Sequence, residues 1–360
     1  MKFIDEYRDK TLCDKVLDDI HASVKKEIRI MEVCGTHTAS IFRYGLRDLL
    51  PDNIKLLSGP GCPVCVTSQK EIDKSIALAR QDNTIIATYG DMLRVPGSES
   101  SLEKERTAGR DIRIIYSALD AIKFAEDNPD SNVVFLGVGF ETTAPATAVS
   151  IMEADKKNLK NYSTLCCHKL ITPAMRILLE SGDASIDGFL CPGHVSAILG
   201  SEDYMFIADE YKTPCVIAGF EPLDVLEGIR MLIHLFNSGK PAVEIQYSRC
   251  IKPKGNQKAK TLLFSVFEPE DTIWRGLGVI PESGLKLKDQ FSQFDSNRLS
   301  DLSHIESEEP PGCMCGDILK GIKLPMDCPL FGKKCTPERP IGPCMVSSEG
   351  TCGIYFKYDI

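Results

Sequence analysis

Two cysteines separated by two residues lie in the segment GPGCPVC, where prolines and glycines favour a loop. Cys62 and Cys65 could bind a zinc ion, cycle between dithiol and disulfide, or contribute to another metal centre. A helix is predicted after them, and the partial positive charge at a helix N-terminus lowers a thiol pKa and favours the thiolate. This position favours a chemical role, but it does not choose between metal binding and disulfide chemistry.

A third cysteine occupies a similar position in the segment CGTHT, which follows the apolar run Ile28–Val33. Cys34 is predicted where a strand ends and a helix begins, so we expect its thiolate to be favoured and presented to a cleft. His37 lies three residues further on and could face the same cleft. An isolated cysteine and histidine are as often structural, so the pattern alone leaves both roles possible.

The C-terminal segment contains six cysteines within 40 residues: Cys313, Cys315, Cys328, Cys335, Cys344 and Cys352. Four thiolates can bind an iron–sulfur cluster, and a Cys-Pro dipeptide such as that at Cys328 often accompanies cluster ligands. Four-cysteine zinc is the alternative, but zinc ribbons usually have two CxxC pairs and this tail has none. Gaps of 14, 6 and 16 residues favour a cluster held by Cys313, Cys328, Cys335 and Cys352. The other two, Cys315 and Cys344, could form a redox disulfide beside it.

Two glutamates follow a Gly-Phe dipeptide, in GFETTAP and in GFEP. Glu141 and Glu221 could each accept a proton or form an ion pair at a strand end, although a plain helix N-terminal carboxylate is favoured for Glu221. His194, in PGHVSA, could be a catalyst or a hydrogen-bonding residue at a helix start. None of these segments matches the phosphate-binding patterns G-x-G-x-x-G or GK followed by Ser or Thr.

Short β-rich runs alternate with helical stretches through the first two thirds of the chain, and this alternation predicts parallel sheets with helices on both faces. The pattern restarts near residue 130, which indicates two similar α/β units at 1–130 and 131–242. Ligands bind beyond the carboxyl ends of parallel strands, where all the unusual segments lie, so two facing sheets would collect them in one cleft.

Local sequence signals predict where several helices begin and what the last segment of the chain forms. Ser68 and Glu71 have capping-box spacing at the start of a helix that should extend to about Arg80. Thr172 is predicted to cap the helix in ITPAMRILLES, and Pro145 suits a first helical turn. The remaining segment, 243–360, is predicted to begin as irregular β with a basic hairpin. It should end in a small domain that needs a metal or cross-link for order, because apolar residues are scarce there.

Composition excludes several classes of protein. A net charge of −9 argues against general nucleic-acid or anionic-membrane binding. No apolar run approaches the roughly 20 residues of a membrane helix, and the charged N-terminus lacks a signal peptide's core, so we expect a cytoplasmic protein. Cysteines in a reducing compartment favour metal or redox roles. Five isolated cysteines are predicted to be buried small hydrophobes: Cys13, Cys166, Cys167, Cys215 and Cys250.

Together these segments resemble the HypD family of hydrogenase maturation proteins. The resemblance lies in MEVCGTHT, SGPGCPVCVTS, YGDMLRVPGS, GVGFETTAPATA, CPGHVSAILGS, AGFEPLDVL and CTPERPIGPCMVSSEGTC, and so covers nearly the whole chain. It implies a redox-active scaffold that builds the Fe(CN)2CO centre of nickel–iron hydrogenases. In such proteins two α/β domains form a cleft and a third domain holds a four-iron four-sulfur (4Fe-4S) cluster. The implied partners are HypC, which shares the iron, and HypE, which supplies cyanide.

The resemblance also implies residue roles. Cys34 would hold iron together with HypC, with His37 as a near neighbour, and Cys62 and Cys65 would be the redox pair of the cleft. The cluster ligands would be Cys313, Cys328, Cys335 and Cys352, and the second redox pair would be Cys315 and Cys344. This pair beside a cluster would be similar to ferredoxin–thioredoxin reductase.

Two alternatives of other classes remain. A plain thiol–disulfide oxidoreductase would explain both cysteine pairs, but it has no need of Cys34 as a third cleft thiol with a histidine nearby. A zinc-stabilised α/β binding protein would explain the tail alone. Iron carrying cyanide and carbon monoxide instead requires soft thiolate ligation and a supply of electrons, which a dithiol and a cluster can deliver.

Overall fold

The computed structural model describes residues 4–358, which form two parallel β-sheets, an antiparallel hairpin and a C-terminal segment of short helices and turns. The strands are β1 Ile28–Glu32, β2 Ile54–Ser58, β3 Thr84–Thr88, β4 Asp111–Ile114, β5 Asn132–Gly139, β6 Tyr162–His168, β7 Gly188–Pro192, β8 Cys215–Ala218, β9 Val243–Ile245, β10 Phe267–Trp274 and β11 Gly278–Leu287. The α-helices are α1 Lys10–Ser23, α2 Gly35–Arg43, α3 Leu46–Leu49, α4 Pro63–Val66, α5 Gln69–Ala79, α6 Leu102–Thr107, α7 Ala118–Asp127, α8 Ala144–Lys156, α9 Ile171–Ser181, α10 Gly193–Leu199, α11 Met205–Asp209, α12 Pro222–Ser238, α13 Gln257–Val266, α14 Ser296–Leu299, α15 Cys315–Leu319 and α16 Thr351–Tyr358. Short 3-10 helices occur at Asp5–Arg8, Gly90–Arg94, Glu202–Tyr204, Asp289–Phe294, Pro325–Asp327 and Pro343–Met345.

The larger sheet has five strands in the order β2-β1-β7-β8-β9, and the smaller has four in the order β4-β3-β5-β6. Every pairing in both sheets is parallel; Ile30, for example, lies opposite Leu56 on one side and Gly188 on the other. Strands β10 and β11 pair antiparallel as a separate hairpin. The predicted α/β fold with two parallel sheets and a cysteine-rich segment is therefore confirmed.

The sheets do not follow the predicted boundary at residue 130. The larger sheet joins β1 and β2, before that residue, to β7, β8 and β9 after it, and the smaller sheet joins β3 and β4 to β5 and β6. The units 1–130 and 131–242 therefore do not correspond to the two sheets, and β9 continues the larger sheet past residue 242. Alternation along the chain identifies strands, whereas their pairing depends on where each crossover returns the chain.

Local signals predicted some helices well. Ser68 and Glu71 form a capping box at the start of α5, as expected. The helical stretch after CGTHT is divided into α2 and α3, because Gly45 adopts a left-handed conformation with φ of 62° between them. Pro145 lies in the first turn of α8, also as expected.

Two local predictions were wrong. Leu170, not Thr172, is the N-cap residue of α9, and Thr172 lies inside its first turn. The segment predicted as irregular β with a basic hairpin contains α13 instead. The side chain of Asn256 caps that helix by accepting from the backbone N–H of Ala259 at 3.1 Å, and its buried face includes Leu263.

The hairpin connects the sheets to the C-terminal segment. Trp274 is fully buried, its indole N–H donates to Ser283 Oγ at 2.8 Å, and its backbone bridges to Thr67 just after the CPVC helix. One hydrophobic cluster includes residues of both sheets, the hairpin and the C-terminal segment, among them Leu57, Leu136, Trp274, Cys315 and Cys344. The C-terminal segment is therefore packed into the body of the molecule as well as having a small cluster of its own.

Two further expectations concern membrane-spanning helices and the isolated cysteines. Within residues 4–358, every helix is too short or too polar to cross a lipid bilayer. Of the five cysteines predicted to be buried, Cys167 and Cys215 are buried, Cys13 and Cys166 are partly exposed, and Cys250 is exposed. The prediction that Cys250 is buried was therefore wrong, because this residue lies in a turn after β9 rather than in a strand.

Candidate functional site

Cys34 lies between β1 and α2, at the carboxyl end of a central strand. Its carbonyl accepts from the backbone N–H of His37 and Thr38, so it begins the helix as its N-cap residue. Burial raises the pKa of the Cys34 thiol to about 11, and the carboxylate of Glu349 adds to that rise. The expectation of a favoured thiolate was therefore wrong for the protein alone, since desolvation outweighs the field of the helix N-terminus.

His37 is fully buried one helical turn beyond Cys34. Its Nε2 lies 2.9 Å from the carbonyl oxygen of Gly219, and its ring centroid is 4.8 Å from that of Phe220. Burial lowers the pKa of His37 to about 4, so the ring is neutral and Nε2 donates to the carbonyl. Within residues 4–358, Nδ1 has no hydrogen-bond partner. His37 thus joins α2 to the carboxyl end of β8 and keeps one unprotonated nitrogen.

The CxxC loop packs directly against the Cys34 loop. A Cβ atom on Gly61 would lie 2.3 Å from the backbone nitrogen of Cys34, so only glycine permits this approach. Cys62 is the N-cap residue of the four-residue helix α4, and its sulfur accepts from the backbone N–H of Cys65 at 3.2 Å. Both sulfurs are buried.

The two thiols of this pair differ in acidity. Burial and the interaction with Cys65 raise the pKa of Cys62 well above its usual value. Burial also acts to raise the pKa of Cys65, but hydrogen bonds from Cys344 and Cys62 outweigh it and lower that pKa to about 6. The expected lowering is therefore confirmed for Cys65 only, and its cause is neighbouring thiols rather than a helix N-terminus.

The cleft pair is linked to the C-terminal cysteines by sulfur contacts. The thiol of Cys344 lies 3.4 Å from the sulfur of Cys315, and the short helix that carries it packs against α4, where it helps to lower the pKa of Cys65. Interactions with Cys315, Cys352 and Cys65, followed by burial, raise the pKa of Cys344 well above its usual value. A continuous series of thiols thus extends from Cys62 through Cys65 and Cys344 to Cys315.

All six C-terminal cysteines line one apolar cavity, with Met314, Ile318, Leu330, Phe331, Gly342 and Met345. The sulfur of Cys335 accepts from the backbone N–H of Ile341 at 3.3 Å. A Cβ on Gly342 would lie 3.3 Å from the sulfur of Cys313, so this glycine keeps the backbone close to the thiols. Among the residues that the structure describes, no three His, Cys, Asp or Glu side chains converge on a position suited to a single metal ion.

The loop of residues 346–350 lines two larger cavities and interacts with both cysteine loops. Glu349 Oε1 accepts from Thr36 Oγ1 at 2.6 Å, and Ser347 Oγ donates to Asp91 Oδ2 at 3.1 Å. One cavity, of about 710 Å³, opens beside Thr36 and Phe220, and the other, of about 580 Å³, opens beside Asp91. Sequence reasoning missed Ser347, Glu349 and Asp91, although the tail motif contains SSEG and the segment GDMLRVPG contains the aspartate.

The other predicted site residues have different surroundings. Glu141 is buried, its Oε1 accepts from the backbone N–H of Ile171 at 2.9 Å, and burial raises its pKa to about 7. Its contact is with the start of α9, and it does not line either large cavity.

Glu221 caps α12 and pairs with Arg8 at 2.9 Å, as the helix-terminal interpretation predicted. His194 stacks against Phe220 at 4.1 Å, and burial lowers its pKa.

Comparison with known proteins identifies the family. Residues 11–359 match the profile of the HypD family, described as "Hydrogenase formation hypA family". The chain belongs to the HypD family. It is 48% identical to the hydrogenase maturation factor HypD2 of Bradyrhizobium diazoefficiens, with 99% of this chain and 97% of that protein covered. It is also 46% identical to the HypD of Azotobacter vinelandii and 44% identical to that of Cupriavidus necator, again over 99% of this chain and 97% of each relative.

The HypD match includes every segment described above, from the Cys34 loop to the SSEG loop. Membership of the HypD family makes this chain a hydrogenase maturation factor. The resemblance inferred from the motifs is confirmed.

Proposed function

We propose that this protein is a redox-active scaffold on which the Fe(CN)2CO centre of a nickel–iron hydrogenase is assembled, together with HypC and HypE. The observation that carries the proposal is the meeting of three cysteine groups. The Gly61 backbone packs on Cys34, and α4, which carries Cys65, packs against the 3-10 helix that carries Cys344. An iron site, a dithiol and an electron source would then be neighbours.

Cys34 is the proposed ligand of the iron that is being assembled, with HypC supplying another ligand. Low-valent iron carrying cyanide and carbon monoxide favours soft sulfur donors. The raised pKa of Cys34 means that the thiol keeps its proton until a cation displaces it, which would prevent reaction of the empty site. The cavity beside Thr36 is open enough to admit a segment of a partner chain.

Cys313, Cys328, Cys335 and Cys352 are the proposed ligands of a 4Fe-4S cluster, which would supply single electrons. Support comes from the apolar lining of their cavity and from the N–H of Ile341, which donates to the Cys335 sulfur. Thiols in a cluster are spread over four irons, so they need not converge on one point as zinc ligands do. The donor set fits such a cluster better than one ion.

Cys315 and Cys344 are proposed to pass reducing equivalents to Cys65 and Cys62. When two thiols form a disulfide they release two electrons and two protons, so exchange between the pairs conserves both. In this direction the thiolate of Cys344 attacks a Cys62–Cys65 disulfide at Cys65 and releases Cys62. Cys315 then attacks Cys344, closes the Cys315–Cys344 disulfide and releases Cys65, whose low pKa makes it a good leaving thiolate.

A thiol–disulfide oxidoreductase of the ferredoxin–thioredoxin reductase type is the second candidate. The contacts among Cys65, Cys344 and Cys315 favour it as much as they favour the first. It does not account for Cys34, whose backbone packs on the CxxC loop and whose buried thiol has a raised pKa.

Anaerobic co-purification with HypC, followed by infrared spectroscopy in the cyanide and carbonyl region, tests the proposal. We expect the complex to show these bands and Cys34→Ala to lose at least nine tenths of their intensity, because alanine offers iron no ligand. Iron and sulfide in the C-terminal segment and the Cys62/Cys65 redox couple should remain. Cys34→Ser should restore little, since a hydroxyl is a hard and largely protonated ligand. Full bands in Cys34→Ala would show that iron is held elsewhere.

A further inference from the structure

Arg275 is a fully buried arginine at the turn between β10 and β11. Among the residues described by the structure, its three side-chain nitrogens have no hydrogen-bond partner. Its backbone N–H donates to the carbonyl of Val66 at 2.9 Å, so the residue follows directly on the helix that carries Cys65. Neither the fold nor the proposed relay of thiols accounts for a cation at this position.

An unpaired guanidinium in the interior is strongly unfavourable. Arginine keeps its charge under all conditions that proteins experience, so it cannot be relieved by losing a proton. Buried charges in proteins are paired, hydrogen-bonded or bound to a ligand. The position of Arg275 therefore requires negative charge nearby that the polypeptide groups around it do not supply.

The surroundings of Arg275 lead to the C-terminal cysteines. A Cβ atom on the next residue, Gly276, would lie 2.3 Å from the Cα of Gly316, so the turn is in contact with the start of α15. The same added Cβ would lie 3.5 Å from the carbonyl carbon of Cys315, so the turn lies against the cysteine-bearing end of the tail. The neighbouring carboxylate of Glu309 accepts from the backbone N–H of Gly276 at 2.8 Å and leaves the guanidinium unpaired.

We propose that Arg275 is the buried counter-charge of the C-terminal iron–sulfur cluster and that it raises the reduction potential of this cluster. The inference rests on the proposed function, since it requires the cluster held by Cys313 and its three companions. Four thiolates give such a group a net negative charge, which grows by one unit on reduction. A fixed cation therefore stabilises the reduced form more than the oxidised form, and net charge is one of the factors that set cluster potentials.

The position also explains why the cation is an arginine held between two cysteine groups. Arg275 is attached through its backbone to the carboxyl end of α4 and through Gly276 to the tail. Its backbone is thus held between the helix that carries Cys65 and the helix that begins at Cys315, and its side chain is fully buried. Removing the charge should make reduction of the cluster harder while leaving its four ligands in place.

Redox titration of the full-length protein, purified anaerobically, tests the inference. The ratio of reduced to oxidised cluster is read from visible absorption and electron paramagnetic resonance at fixed ambient potentials. We expect Arg275→Met to lower this ratio at least tenfold, a shift of about 59 mV for one electron. Arg275→Lys, which keeps the charge, should lie closer to the wild type. Arg106→Met removes the same charge from an exposed position and should change nothing.

Each result has a defined meaning. A wild-type ratio in cluster-loaded Arg275→Met overturns the inference and leaves the proposed function standing. Absence of a four-iron cluster from the wild type overturns the proposed function, and the inference with it. If Arg275→Met folds without iron and sulfide but Arg275→Lys retains both, the charge is required for loading and the inference is supported. Equal misfolding of both variants shows that shape rather than charge matters, and contradicts it.

Discussion

Cysteines that are similar in sequence have opposite chemical character in this fold. Cys34 and Cys65 are both buried in segments that follow a strand, yet the pKa of Cys34 is raised to about 11 and that of Cys65 is lowered to about 6. Burial acts to raise the pKa of both thiols. For Cys65 the interactions with Cys344 and Cys62 outweigh the effect of burial, and Cys34 has no such thiol neighbours among the causes of its shift. The same residue type can therefore hold a proton at the proposed iron site and carry a thiolate in the proposed redox pair.

At this scale the acidity of Cys65 should depend on Cys344. Replacing Cys344 by Ala removes a hydrogen bond to the Cys65 thiolate, so we expect the pKa of Cys65 to rise from about 6 towards or above the value of a free thiol. The thiolate absorption of reduced protein in the ultraviolet, titrated against pH, measures this. The contribution of Cys65 is obtained by subtracting the titration of a protein that also carries Cys65→Ser from the titration of the same protein with Cys65 present.

Cys250→Ala is the matched control, because that thiol is exposed and far along the chain from the relay. It should leave the low-pH titration unchanged. An unaltered Cys65 titration in Cys344→Ala would mean that Cys344 does not stabilise the thiolate, and the proposed exchange between the two pairs would lose its support.

At the scale of elements, the site depends on loops that approach each other through glycine. Gly61 brings the CxxC loop onto the Cys34 backbone, and Gly35 brings α2 against Glu349, whose carbonyl oxygen would lie 2.2 Å from an added Cβ. These contacts are between backbones, so they cannot be relieved by the movement of a side chain. The geometry of the three cysteine groups is therefore set by two residues without side chains.

Gly61→Ala should accordingly separate the CxxC loop from the Cys34 loop. A Cβ atom 2.3 Å from backbone must displace one of them, and we expect a loss of about 1–3 kcal/mol in the free energy of unfolding. Denaturant unfolding measures the loss. Gly90→Ala is the control, because its nearest neighbour would be 3.9 Å from the new Cβ, and it should change stability by no more than about 0.5 kcal/mol. Equal stability of the two variants would contradict this contact.

At the scale of the whole molecule, the C-terminal segment holds the two sheets and the cysteine loops together. Its residues Cys315 and Cys344 belong to the same hydrophobic cluster as both sheets, and its SSEG loop bonds to Thr36 and Asp91. Its order should therefore affect the site as well as the tail.

Cys328→Ala should abolish the proposed cluster and loosen residues beyond about 310, because metal binding in such a segment is also folding free energy. We expect loss of iron and sulfide, and at least tenfold faster cleavage of the tail in limited proteolysis. Cys13→Ala, which removes a partly exposed thiol on α1, should behave as wild type in both assays. Full retention of iron and sulfide in Cys328→Ala would show that the ligand assignment is wrong.

The sequence by itself determined the fold class and the family, and it predicted the cysteine groups. Strand and helix periodicity is local, so alternating runs identified most elements. The capping box of Ser68 and Glu71 likewise identified the start of α5. Motif spacing is also a property of the chain alone, which is why the segments CGTHT and GPGCPVC were enough to propose Cys34, Cys62 and Cys65 as candidate site residues.

Only the tertiary structure decided which strands share a sheet, how each thiol is protonated and which other residues take part. Sheet membership depends on crossovers between distant segments, so the division at residue 130 did not separate the sheets. Acidity depends on burial and on donors from elsewhere, such as Cys344 beside Cys65. The unpaired charge of Arg275 exists only because folding removes it from water, and no pattern along the chain could have revealed it.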